Sequence, residues 1–260
     1  MPVYIERATA PNGVRHSKSF KTAEELKIEG PIWKKLVKEG RIKNNKELPK
    51  KEEKVKINLL NDINLDLDKD TGNTTVIYGS SKRGKSTLLM HLYKKYYEDY
   101  ISLLFGENLQ KDLYNDPKHK LIKINHFVPD LIEMTKVING KTKNKYPFVI
   151  MLDDIIDQKM NKILMKLILS YRNSNISTVV SLQNVMLFKK ENRTNVNNII
   201  FFGFNEDRDI EDVIKRYFNS YLKNMKIEEK ILWYKENTQN HKFIYYNPRK
   251  NLFTFHQLKI

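Results

Sequence analysis

Cysteine is absent from the 260 residues. Its absence excludes disulfides, thiolate metal sites and a cysteine nucleophile, argues against zinc, and fits a reducing compartment. Nowhere do about 18 apolar residues run together, and the opening "MPVYIERATAPNGVRHSKSF" has no apolar core of signal-peptide type. Neither a membrane span nor signal-directed secretion is expected, so the chain reads as soluble and intracellular. Internal repeats are missing. So is a guanine-reading N-K-x-D, because the nearest match, "NNKE" near residue 44, precedes the phosphate-binding motif described below. That argues against a GTPase or a small-molecule kinase.

What is present is positive charge. There are 47 Lys and Arg against 31 Asp and Glu, a formal net charge of +16, and 40% of the residues are hydrophobic, enough for one large α/β domain with a small appendage. An acidic polymer, nucleic acid before membrane, is the partner such a balance points to. Lys and Asn are also spread along the whole chain, and that compositional habit would produce the same excess with no ligand behind it. Residues 1–57 hold 15 Lys and Arg against 8 Asp and Glu. Within them Leu26, Ile28, Ile32, Trp33, Leu36, Val37 and Ile42 stand at roughly helical spacing, interrupted by Gly30-Pro31 and Gly40. The spacing predicts two short helices and a Lys-rich linker. The module would touch DNA, pack on a neighbouring subunit, or simply be a solvated arm.

From residue 58 to 260, short apolar runs alternate with segments of 3.6-residue period, predicting βαβ units and a mainly parallel sheet. Strands are expected at Thr75 to Tyr78, Ile101 to Phe105, Phe148 to Leu152, Ile176 to Leu182 and Asn198 to Phe202. The clearest helix carries Met160, Ile163, Leu164, Leu167, Ile168 and Tyr171 on one face, and Ile210, Val213, Ile214, Tyr217, Phe218 and Tyr221 repeat the rhythm. "HKFIYY" and "LFTFHQL" read as a terminal strand pair. Residues 106–146 resist assignment.

Chemistry concentrates in "VIYGSSKRGKSTLLMHL", which fits G-x-x-x-x-G-K-[ST] with Gly79, Ser80, Ser81, Lys82, Arg83, Gly84, Lys85 and Ser86, and Thr87 following. Glycines let successive N–H groups face phosphate oxygens, and the helix that follows brings its positive end to the same anion. Lys85 would reach the β- and γ-phosphates of ATP, and Ser86 would ligate Mg²⁺. The partner carboxylate is offered by "FVIMLDD": Asp153 to hold Mg²⁺ through water, Asp154 to orient and deprotonate the attacking water. Acids also begin helices, so both residues could instead be caps. "STVVSLQN" ends a buried strand at Gln183, an amide placed to sense the γ-phosphate or merely to cap a turn. Arg172, in "LSYRNSNIS", is a candidate to neutralise phosphoryl charge across a subunit boundary, with Arg193 and Arg208 as rivals and a surface charge as the plain alternative.

The order of these parts, a phosphate loop, a long insert, "LDD", a helix ending in Arg and a strand ending in Gln, resembles the FtsK/HerA class of DNA-pumping ATPases over residues 57–205. Within that class it looks like the genome-packaging ATPases of poxviruses, other giant DNA viruses and virophages. In that viral group the second acid is often Asp, as Asp154 is here. The group commonly has an Arg-His pair at the finger position, whereas this chain has Arg172-Asn173. The resemblance implies an α/β P-loop NTPase of the ASCE, RecA-like type, a hexameric homo-oligomeric ring, sequence-independent grip on double-stranded DNA, capsid or portal-vertex proteins as further partners, no membrane, and residence in the host cytoplasm or virion. A cellular or plasmid translocase of the same class is the alternative, as is a nucleotide-switched assembly protein that does not act on DNA.

Overall fold

A computed structural model of the chain describes residues 4–9, 15–20, 43–44, 57–59, 63–68, 70–107, 109, 111–114, 120–154, 160–187 and 195–258. The chain divides into two compact units, Met1–Lys54 and Val55–Ile260.

In the first unit, β1 (Tyr4–Thr9) pairs antiparallel with β2 (Arg15–Phe20), and β3 (Lys43–Asn44) adds antiparallel to the other side of β1. The described residues of this unit are all strand, and the sequence reading made no assignment for the two six-residue segments, which flank Pro11-Asn12-Gly13, a turn signal. The helices expected between Leu26 and Ile42 lie outside the described residues.

The second unit is built on a nine-stranded sheet. Its strands are β4 (Ile57–Leu59), β5 (Thr74–Tyr78), β6 (Ile101–Phe105), β7 (Leu121–Ile124), β8 (Phe148–Leu152), β9 (Ile176–Leu182), β10 (Asn198–Phe201), β11 (Lys242–Asn247) and β12 (Leu252–Gln257). Their spatial order is β4-β12-β11-β10-β5-β9-β8-β6-β7. From β10 to β7 every neighbouring pair is parallel, while β11 runs antiparallel to both β10 and β12, and β4 closes the far edge parallel to β12. β5, β8 and β9 are buried along their whole length, which is why each reads as an unbroken apolar or small-residue run and not as an alternation.

Alternate residues of these strands feed two cores. Val76, Tyr78, Ile150, Leu152 and Val180 pack with α3 (Pro129–Lys141), α4 (Met160–Leu169), α5 (Asp207–Val213) and α6 (Ile227–Thr238) through Ile132, Leu167, Ile210 and Tyr234. Ile77, Val149, Met151 and Val179 face the opposite way, onto α1 (Lys85–Leu92) and α2 (Lys111–Tyr114) through Leu88, Leu89, Leu92 and Tyr114. The result is three layers with the sheet in the middle. α1 continues as a π-helical turn over Tyr93–Tyr97 and α5 over Ile214–Phe218. Among the described residues no helix is long and apolar enough to cross a membrane.

A candidate nucleotide site at the carboxyl ends of the central strands

The parallel register explains how distant residues meet. Phe105 pairs with Leu152 and Leu152 with Val180, so one step further along the strands Gly106, Asp153 and Ser181 stand abreast. Gly106 makes the approach close: a Cβ there would stand 3.1 Å from the Asp153 carbonyl oxygen and 2.5 Å from the Leu109 side chain, which would have to shift. Tyr78 pairs with Leu182, which brings the turn after β5 level with Gln183. All these residues lie beyond the carboxyl ends of parallel strands, where open α/β sheets place their ligands.

The loop from Gly79 to Ser86 is anchored by the Gly79 N–H donating to the Leu182 carbonyl at 3.1 Å and the Ser80 N–H to the Gly203 carbonyl at 3.1 Å. Gly84, at φ 100°, ends the loop in a conformation that a side chain would strain, and α1 starts at the next residue. Lys82 also takes a positive φ of 60° and is exposed with Ser81, while Ser86 and Thr87 are half-buried in the first turn of α1. Arg83 turns away from the loop interior and donates from Nη2 to Asn205 Oδ1 at 2.8 Å.

Lys85 is only 3% exposed. Its ammonium donates to the Ser80 carbonyl at 3.1 Å and stands 3.2 Å from Asp154 Oδ1. A buried cation needs such partners. Asp154, at φ 49°, bends out of the strand direction, and its N–H donates to Ser181 Oγ at 2.9 Å. Gln183 Nε2 donates to Asp154 Oδ2 at 3.1 Å. Asp153 is buried and accepts from Ser181 Oγ at 2.7 Å on Oδ1 and from Tyr114 Oη at 2.6 Å on Oδ2. Burial first, then the Asp153 charge, pushes the Tyr114 phenol far above its ordinary pKa, keeping it protonated.

Lys85, Asp154, Gln183 and, through Ser181, Asp153 thus form one connected group, with Ser86 next to Lys85 in the first turn of α1. The reading of the two acids as caps does not describe them: their carboxylates are engaged by Ser181, Tyr114, Lys85 and Gln183. Gln183 likewise spends its amide on Asp154. Ser86 and Asp153 offer only oxygen donors, the kind Mg²⁺ accepts when most of its shell is water and phosphate. Among the described residues no cluster of three or more His, Asp or Glu competes as a metal site.

Arg172 lies elsewhere. It sits in a 3₁₀ turn, Tyr171–Ser174, before the amino end of β9, and its carbonyl accepts from the Gly72 N–H at 2.8 Å. The Asp68 carboxyl is held below its ordinary pKa mainly by the Asp70 N–H, with Arg249 and Arg172 adding at longer range. The seven residues of β9 therefore separate Arg172 from Gln183 by about 20 Å. Arg208 is exposed in α5 and Arg193 lies outside the described residues.

Sequence reading missed Tyr114 and Ser181. Ser181 carried a signal: a hydroxyl inside the run "STVVSLQN", two residues before Gln183 and so on the same strand face. Tyr114 carried none, since it reaches the site from the unassigned stretch.

No known family profile and no curated protein matches the sequence. Solved structures do. The DNA-packaging ATPase B204 of Sulfolobus turreted icosahedral virus superimposes with a TM-score of 0.52 at 17% identity, covering 74% of this chain and all of B204. B204 of Sulfolobus turreted icosahedral virus 2, a genome-packaging NTPase in complex with AMPPCP, gives 0.53 at 15% identity, over 72% of this chain and 98% of B204. The same protein in complex with sulfate gives 0.53 at 16%. What these likenesses show is the fold, that of an α/β P-loop NTPase with its mainly parallel sheet flanked by helices.

Proposed function

We propose that this chain is an ATP-hydrolysing DNA translocase that packages double-stranded viral DNA into a preformed capsid, working as a hexameric homo-oligomeric ring. The observation that carries the reading is the connected group Lys85, Asp153, Asp154 and Gln183, with Ser86 beside Lys85, at the carboxyl ends of β5, β8 and β9, set in a fold shared with a packaging NTPase.

The loop amides from Ser80 to Ser86 would cradle the phosphates of ATP, with the start of α1 adding its dipole. An arriving triphosphate competes with Asp154 for the Lys85 ammonium. As Lys85 turns to the β- and γ-phosphates, Asp154 loses its counter-charge and becomes the acceptor for a proton from water held by its carboxylate and Gln183. Ser86 and Asp153 are the residues that would hold Mg²⁺, which when bound supplies charge neutralisation between the phosphates. The link from Gln183 to Asp154 lets the amide register whether a γ-phosphate is present. Arg172, a strand length from its own loop, would complete the site of a neighbouring subunit, and basic side chains facing the ring channel would hold DNA phosphates without reading bases.

The test is the ATPase rate against added double-stranded DNA, with oligomeric mass measured in the same buffer. Stimulation by DNA of any sequence, binding that weakens steeply with salt, ring-sized mass and loss of turnover in Lys85→Ala are expected. ATP hydrolysis indifferent to DNA, with no salt-sensitive DNA binding, would favour the nucleotide-switched assembly protein. Stimulation by DNA with no response to procapsids would favour a cellular translocase.

A further inference from the structure

We infer that Tyr114 is a positioning residue for the divalent cation: its hydroxyl holds the Asp153 carboxylate so that it presents its free lone pairs to the metal. The inference rests on the reading of Ser86 and Asp153 as the metal-holding pair.

A carboxylate has only acceptors, so the 2.6 Å bond between Tyr114 Oη and Asp153 Oδ2 uses the one proton of the phenol, and that bond holds the carboxylate in one orientation.

The carboxylate is clamped from both sides, by Tyr114 on Oδ2 and by Ser181 on Oδ1 at 2.7 Å, which leaves further lone-pair sites on each oxygen for the water of a metal shell. Tyr114 is 2% exposed, so water cannot readily take over its place. The backbone is arranged to deliver it: after β6 the chain passes Gly106 against Asp153, Leu109 closes on Gly106, and α2 brings Tyr114 back over the carboxylate. Partners that orient metal ligands in this manner typically matter by 10- to 100-fold in metal affinity.

The experiment is Tyr114→Phe, which deletes one oxygen and keeps the ring, read by titrating AMPPNP onto the full chain in EDTA and then over a range of Mg²⁺. Circular dichroism and thermal unfolding without nucleotide check that the variant is folded. Affinity in EDTA is expected to stay within about twofold of the unsubstituted protein, while the Mg²⁺ concentration for half-maximal tightening rises about 10- to 100-fold. An unchanged Mg²⁺ midpoint would show Tyr114 to be packing only, and a lower midpoint would show it to obstruct the cation; either result overturns the inference. Asp153→Ala supplies the second arm. Adding Tyr114→Phe to it should shift the midpoint by less than about threefold, because the carboxylate that Tyr114 orients is gone, and a full additive shift would place the action of Tyr114 elsewhere and overturn the inference. If the unsubstituted protein binds no nucleotide in either condition, the proposed function falls as well, and the two failures are told apart by that control.

Discussion

Ser181 shows how much one hydroxyl can hold. It donates to Asp153 Oδ1 and accepts from the Asp154 N–H, so it clamps the first acid and fixes the positive-φ bend that aims the second at Lys85. Ser181→Ala leaves a buried carboxylate oxygen and an amide short of a partner, a loss of about 1–3 kcal/mol by urea unfolding. Turnover is expected to fall at least roughly tenfold with nucleotide affinity nearly unchanged, since the loop itself is untouched. Equal turnover in the variant would show that Asp154 does not need the clamp. The contrast between Ser181 and Lys85 also marks what a sequence can reveal about a site. Lys85, Ser86, Asp153 and Asp154 sit in contiguous motifs whose spacing is the chemistry, so their types and order were enough to nominate them. Ser181 and Tyr114 act through partners 28 and 39 residues away, fixed by strand register and by the path of a connecting segment, and neither is visible until the sheet is assembled.

Elements were legible in proportion to how purely one force shaped them. β6, β8 and β9 are covered on both sides by helices, so apolar content alone delimits them, and the expected bounds match the observed ones. α3 was missed because its apolar residues surround it: Ile132 is buried, while Met134, Val137 and Ile138 are exposed on other faces, leaving no stripe of helical period. β7 is a four-residue edge strand with one face open, too short for a pattern. The polar connections were equally hidden. Asn198, fully buried in β10, accepts from the Asp66 N–H at 2.9 Å and from Tyr245 Oη at 2.8 Å, and donates to the Asp66 carbonyl at 3.3 Å. One amide therefore ties the segment before β5 to β10 and β11. Asn198→Ala should cost about 3 kcal/mol in chemical denaturation, because several buried groups lose a partner together. A loss below about 0.5 kcal/mol would mean that the segment 63–68 is held by other contacts, such as the Tyr96 hydroxyl donating to the Ile63 carbonyl at 2.8 Å.

At the scale of the whole molecule, the fold separates two things that hydrolysis would need together. The phosphate loop, the acids and Gln183 gather at the carboxyl end of the parallel strands, while Arg172 precedes the amino end of β9. No side-chain rotation spans about 20 Å, since an extended arginine reaches roughly a third of that, so Arg172 serves either a second copy of the chain or no nucleotide at all. Mixing separates the alternatives. Arg172→Ala subunits would have an intact site but no finger to lend, whereas Asp154→Asn subunits would lend a finger to others while lacking their own base. Each variant alone should bind nucleotide normally and turn over about 10²- to 10⁴-fold more slowly, the range that a general base or a charge-neutralising arginine supplies. In a mixed ring, an Arg172→Ala site that borrows Arg172 from an Asp154→Asn neighbour has every part it needs, so the mixture should hydrolyse ATP faster than either variant by itself. Arg208 provides the control: it lies in α5, just past the carboxyl end of β10 and so at the same end of the parallel strands as the loop, and Arg208→Ala should not need rescue. Full activity of assembled Arg172→Ala, or a mixture no faster than its components at ring-forming concentration, would remove Arg172 from the reaction and leave the neighbour's site to be completed by another residue.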